Sequence, residues 1–144
     1  MRAARAAGAP LVVASMAFDE LPNASVRTMM GVSPEQAARE LAAAGADILG
    51  ANCGTQMQPA SFVTVVRAYK ATVSLPVMIR ANAGRPELVD GAAVYRLAPE
   101  AFAEGMAPVV ERGAAILGGC CGTTPAHIAA LHRTYGMKPE KKRE

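Results

Sequence analysis

The chain has 144 residues, 51% of them hydrophobic and 19% charged, which is enough apolar material for one packed domain and too much for a disordered segment. Its net charge of +3 gathers at the ends, in "MRAARAAG" and "KPEKKRE", and with no Trp there is no basic, ring-studded stripe to mark a nucleic-acid partner. The apolar runs are of strand length and broken by Gly, Pro or charge, which argues against a membrane span, and the N-terminus lacks the features of a signal peptide, so a cytoplasmic protein is expected.

Along the chain, short apolar runs alternate with Ala-rich helical segments. "PLVVASM" (10–16) reads as a buried strand. "SPEQAARELAAAG" (33–45) follows as a helix, with Ser33 as N-cap, Pro34 at the first position, Gln36 completing a capping box and Gly45 as the stop. "ADILGAN" (46–52) is the next strand and "PASFVTVVRAYKAT" (59–72) the next helix. "LPVMIRAN" (75–82) is a third strand, and "AGRPELVDGAAVYRL" is expected to be a loop. The segment 98–113 is a third helix in which Pro108 marks a kink or a limit. "AAILGG" (114–119) is the fourth strand, and "TPAHIAALHRTYG" (124–136) the last helix, capped by Thr124 with Pro125 in its first turn. Four successive βα units imply an α/β fold with a parallel sheet.

This map gives the three cysteines a common address. Cys53 follows the second strand, while Cys120 and Cys121 follow the fourth, so all lie at carboxyl ends of parallel strands, where α/β folds place their sites. An odd number of cysteines does not form a complete disulfide framework, and consecutive residues lie too close for relaxed disulfide geometry. Three converging thiols suit a zinc ion, with the fourth tetrahedral position left to water or substrate. A regular strand would aim adjacent side chains to opposite faces. Gly118, Gly119 and Gly122 allow a bulge or sharp turn that brings Cys120 and Cys121 to one side.

Other polar residues carry weaker expectations. Asn82 ends the third strand, where its amide oxygen could complete a coordination sphere or hold a substrate. His127 and His132 are five apart on one helix, about 140° around its axis, so packing or surface roles outweigh ligation. Asp47 starts a strand, on the rim opposite the cysteines, and is expected to be structural.

The segments "GANC" (50–53), "NAGRP" (82–86), "VDGAAVY" (89–95) and "GGCCGTTPAHI" (118–128) together resemble, in order and spacing, the zinc-dependent homocysteine S-methyltransferase family. "MAFDE" and "RTMMGVSPEQAA" resemble most closely its branch with the homocysteine-binding module of cobalamin-dependent methionine synthase. The resemblance implies zinc held by Cys53, Cys120 and Cys121, homocysteine as the thiol substrate giving methionine, Asn82 and Asn52 near that substrate, and methylcobalamin as a methyl donor. It also implies a (β/α)₈ barrel of about 250 residues, of which the four βα units correspond to the second half, residues 1–136, followed by a charged tail, 137–144. The opening decapeptide then corresponds to the tail of the helix before the fifth barrel strand. A half-barrel leaves two strand edges and its interior uncovered, so a second copy of the chain or a complementary half-barrel chain is expected to close it. The alternative is a catalytically inactive zinc-binding fragment or partner subunit. The loop "GTQMQPAS" lacks the family's usual Gly-Pro, and Ala81 and Arg85 stand where Pro and Leu are common.

Overall fold

The computed structural model describes residues 1–136; the charged tail 137–144 lies outside them. Four parallel strands form the central sheet: β1 (Val13–Ala17), β4 (Ile48–Asn52), β5 (Val77–Ala81) and β8 (Ile116–Gly119), in that spatial order. Each parallel strand is added beside the one before it. A doubly wound sheet would reverse direction at a switch point; continuous addition is the progression of a (β/α) barrel, of which the sheet forms half.

The helices cover one face. They are α1 (Arg2–Ala6), α2 (Pro34–Ala43), α3 (Val63–Thr72) entered through a 3₁₀ turn (Pro59–Phe62), α4 (Pro99–Gly105), α5 (Ala107–Glu111) and α6 (Pro125–Tyr135). Strand alternation decides which residues meet them. Leu49 and Ala51 of β4 and Val77, Ile79 and Ala81 of β5 are fully buried against Val65, Val66 and Tyr69 of α3, Phe62 of the 3₁₀ turn, and Phe102, Met106 and Val109 of α4 and α5. Burial pushes the Tyr69 phenol well above its ordinary range, and its hydroxyl donates to the carbonyl of Gly50 at 3.3 Å. The opposite face carries Val13, Ser15, Asn52, Met78, Arg80 and Ile116, all exposed or half-buried.

Asp47 closes the N-terminal rim. Its carboxylate accepts the Val12 N–H at 2.6 Å and pairs with Arg5 of α1. The Val12 hydrogen bond first, and the Arg5 guanidinium second, hold its pKa below the usual carboxylate range. The structural role expected of Asp47 is the one its contacts describe.

Two local expectations are corrected, one further hairpin is added, and the break expected near Pro108 is located. The segment read as a loop contains an antiparallel hairpin, β6 (Glu87–Val89) with β7 (Ala92–Val94). It turns on Asp90 (φ +48°) and Gly91 (φ +79°), a two-residue Asp-Gly connection whose left-handed pair matches strand twist, so the signal was present in "VDGA". A second short hairpin, β2 (Asp19–Glu20) with β3 (Val26–Arg27), had no counterpart in the expectation. At α2 the cap is half of a capping box. Ser33 Oγ accepts from the Gln36 N–H at 3.2 Å, but the Gln36 side chain donates onward to Glu40 at 2.8 Å, one helical turn along. The expected third helix divides between Gly105 and Ala107, so that Pro108, which has no N–H to donate, falls in the first turn of α5.

Candidate metal centre

The three cysteine sulfurs converge above the carboxyl ends of β4 and β8. Cys53 Sγ lies 3.7 Å from Cys121 Sγ, Cys120 Sγ lies 4.0 Å from Cys121 Sγ, and all three are within 4.8 Å of one another. Metal–sulfur bonds of 2.3 Å in a tetrahedron would separate sulfurs by about 3.8 Å. The group therefore has the spacing of three corners of such a tetrahedron. All three thiols are free, with Cys121 exposed and the other two half-buried.

Two local devices aim these side chains. Cys53 adopts φ +56°, a left-handed conformation uncommon outside glycine, and Gly54 follows at φ +90°. Strand alternation would carry Cys53 to the helix side; the left-handed step returns it to the open face beside Asn52. The bend is tight, since a Cβ on Gly54 would lie 1.9 Å from the Phe18 carbonyl oxygen. At the other loop the chain leaves β8 at Cys120 in a four-residue turn closed by Thr123 N–H donating to Cys120 O at 3.2 Å. Gly122 sits at its third position with φ +73°, as a type II turn requires. The pair thus lies on a turn, where alternation no longer applies. Of the glycines singled out, Gly122 supplies that left-handed step, Gly119 leaves room for the Thr123 side chain, and Gly118 leaves room for Arg80.

Asn82 joins the two loops. Its Oδ1 accepts the Cys121 N–H and its Nδ2 donates to Gly54 O, both at 3.1 Å, and the residue is 2% exposed. The amide oxygen considered for an ion or a substrate is therefore engaged with the backbone of the cysteine turn. Asn52 lies on the open face below Cys53, where its Oδ1 accepts from Ser15 Oγ, leaving the amide N–H bonds directed away from that contact.

Electrostatics separates the adjacent thiols. Burial, then the neighbouring Cys53 and Cys121 sulfurs, pushes Cys120 up. A hydrogen bond from Cys53 leads the effects that pull Cys121 down, with Cys120 and the Tyr95 hydroxyl adding to it. The Tyr95 ring sits against Gly122, where a Cβ would come within 2.2 Å of Tyr95 Cβ. A metal ion would replace this mutual repulsion with attraction, because its charge inverts the local pKa logic.

The histidines take no part. His127 is buried in the first turn of α6, where its Nδ1 accepts from the Thr124 N–H at 3.1 Å, so the ring is protonated on Nε2, which donates to Leu97 O at 2.9 Å. The ring also meets Phe102 edge-on at 5.4 Å. His132 is exposed on the same helix. Arg80 and Tyr95 were not singled out in the sequence, although a charged residue inside the apolar run "VMIRA" was a signal.

A family model described as Homocysteine S-methyltransferase matches residues 1–135. The chain belongs to this family. It is 42% identical over 85 residues to a protein named methionine synthase from Mycobacterium tuberculosis, and 41% identical over 85 residues to one of the same name from Mycobacterium leprae. In each case the match covers 58% of this chain and 7% of the relative's own length. Among the described residues no helix is long and apolar enough to cross a membrane.

Proposed function

We propose that the chain is the thiol-activating half of a homocysteine S-methyltransferase, binding zinc through Cys53, Cys120 and Cys121 and accepting homocysteine, which leaves as methionine. The observation that carries this reading is the sulfur triangle, with edges of 3.7 and 4.0 Å at the open rim of the sheet. Zinc held there by the three thiolates would supply a positive charge that lowers the pKa of a substrate thiol. The sulfur of homocysteine then attacks the methyl carbon in line as the donor's bond to that carbon breaks, and the thiol proton passes to solvent. Family membership and the methionine synthase relatives support the substrate class. A methylated corrinoid presented by another domain or chain is the proposed donor.

The chain's own contribution is positioning. Asn82 holds both cysteine loops by hydrogen bonds, which fixes sulfur directions before a ligand arrives. Asn52 offers amide N–H groups on the face a substrate would occupy. Among the described residues the outer strands β1 and β8 each pair on one side only, and Val13 and Ile116 on them are each 39% exposed. We propose that a second copy or a complementary half-barrel covers this face, with turnover depending on it.

The deciding experiment is metal analysis of purified chain together with methyl transfer to homocysteine. About one zinc per chain, lost on Cys120→Ser or Cys121→Ser, supports the metal centre, and zinc-free protein of native fold overturns it. The second reading, a zinc-holding subunit without turnover, is favoured by the uncovered inner face. Methyl transfer by the chain alone would exclude it, and a strict monomer in sedimentation would exclude closure by a second copy.

A further inference from the structure

Arg80 is the one charged residue in β5, and the strand's alternation sends it away from the core. Val77, Ile79 and Ala81 are buried under the helices, while Arg80 is exposed on the open face. A long cation on an uncovered face would ordinarily be loose; this one is moored. Its stem crosses β8 over Gly118, where a Cβ would lie 3.3 Å from Arg80 Cγ. Its Nε donates to the carbonyl oxygen of Gly119 at 3.2 Å. A guanidinium has about five N–H donors in a rigid fork; with Nε engaged, the terminal amino groups remain to meet a ligand. Among the described residues, none of the ion pairs includes Arg80.

The mooring point sets its relation to the thiols. Gly119 immediately precedes Cys120, and across the sheet Arg80 is in register with Asn52, which immediately precedes Cys53. The arginine therefore lies between the two cysteine loops, one step below the rim on which the sulfurs converge. Asn52 stands at the same level with its Oδ1 taken by Ser15 and its amide N–H groups available. Two hydrogen-bond donors, one of them a fixed cation, face the space beneath a thiol-binding site.

We propose that Arg80 binds the carboxylate of the amino-acid thiol whose sulfur docks at Cys53, Cys120 and Cys121, with Asn52 as a second donor, and so selects thiols that carry a carboxylate. This rests on the homocysteine reading above. A carboxylate matches the planar fork of arginine, accepts charge-assisted hydrogen bonds, and in homocysteine sits at the opposite end of a short chain from the sulfur. Gly118 belongs to the same device, because a side chain there would push the arginine stem off its path.

The test is calorimetric titration of the zinc-loaded full chain with L-homocysteine and with 3-aminopropane-1-thiol, which keeps the thiol and amine but lacks the carboxylate. Arg80→Met should weaken homocysteine by about tenfold or more and leave the aminothiol within about twofold, with zinc content unchanged. Arg80→Lys should restore part of the loss, and Gly118→Ala, which keeps the charge but displaces it, should reproduce a fraction of it. Equal homocysteine affinity in wild type and Arg80→Met overturns the proposal, as does an equal loss for both thiols. Should neither thiol bind wild-type protein that holds zinc, the homocysteine reading fails and this assignment with it; binding of both thiols without discrimination sinks this assignment alone.

Discussion

The two faces of the sheet have had opposite fates. On the helix-covered face, alternate residues of β4 and β5 are completely buried, whereas on the other face their neighbours one position away are exposed or half-buried. The same strands serve both, so the difference is which side the helices chose. The covered face carries folding stability, and the uncovered face carries the proposed chemistry, at the cysteine rim, Asn52 and Arg80. On the proposed reading, a substrate reaches the site from the face that this chain's own helices leave open.

The largest effect should come from the rim. Cys121→Ser should take zinc from about one per chain to near none by metal analysis, while far-ultraviolet circular dichroism stays native, because the sheet's core lies behind it. Next, Ile79→Ala on the covered face should cost about 2–5 kcal/mol in urea unfolding. Ile116→Ala on the open face should cost less than about 1 kcal/mol in dilute protein, because its side chain is already 39% exposed. Equal costs would break the contrast between the faces. A cost at Ile116 that grows with protein concentration would sharpen it, by showing that the open face is covered on association.

Asn82→Ala should fall between these, removing about 1–3 kcal/mol of stability by orphaning the Cys121 N–H and Gly54 carbonyl, and weakening zinc about 10–100-fold. Asp47→Asn should have the smallest effect, and it should be read as a change in pH dependence. Asp47 titrates below its ordinary value in the fold, first through the Val12 N–H and then through Arg5. Its contribution is therefore present above the unfolded value of about 3.9 and disappears as pH falls through the lower folded value. The variant's stability should fall less steeply than wild type across that acid window in denaturation measured against pH, and identical profiles would remove the role assigned to Asp47.

Much of the fold could be read directly. Apolar runs of strand length beside Ala-rich helices place all four parallel strands, and Ser33, Thr124 and the prolines after them place two helix starts. The β6–β7 hairpin was missed although Asp90-Gly91 carries its signal, because each arm is only three residues long, too short to show a strand's alternation. The β2–β3 arms are two residues each and leave too short a pattern to find. At the site, the convergence of Cys53 with Cys120 and Cys121 followed from strand ends alone. The engagement of Asn82 did not, because a side-chain amide bridging two loops depends on a distance the chain order does not contain.

The sequence by itself determined the order of βα units, the rim on which the thiols meet, and the glycines around Cys120 and Cys121 that permit a bulge or a turn. These follow from local propensities and from the rule that parallel strands present their carboxyl ends together. Only the tertiary structure decided that Cys53 reaches its partners through a left-handed backbone step, that Asn82 ties the two loops, and that Arg80 is moored over Gly118. Each of these depends on the register and spacing of neighbouring strands, and register is set by packing the whole covered face rather than by any one segment.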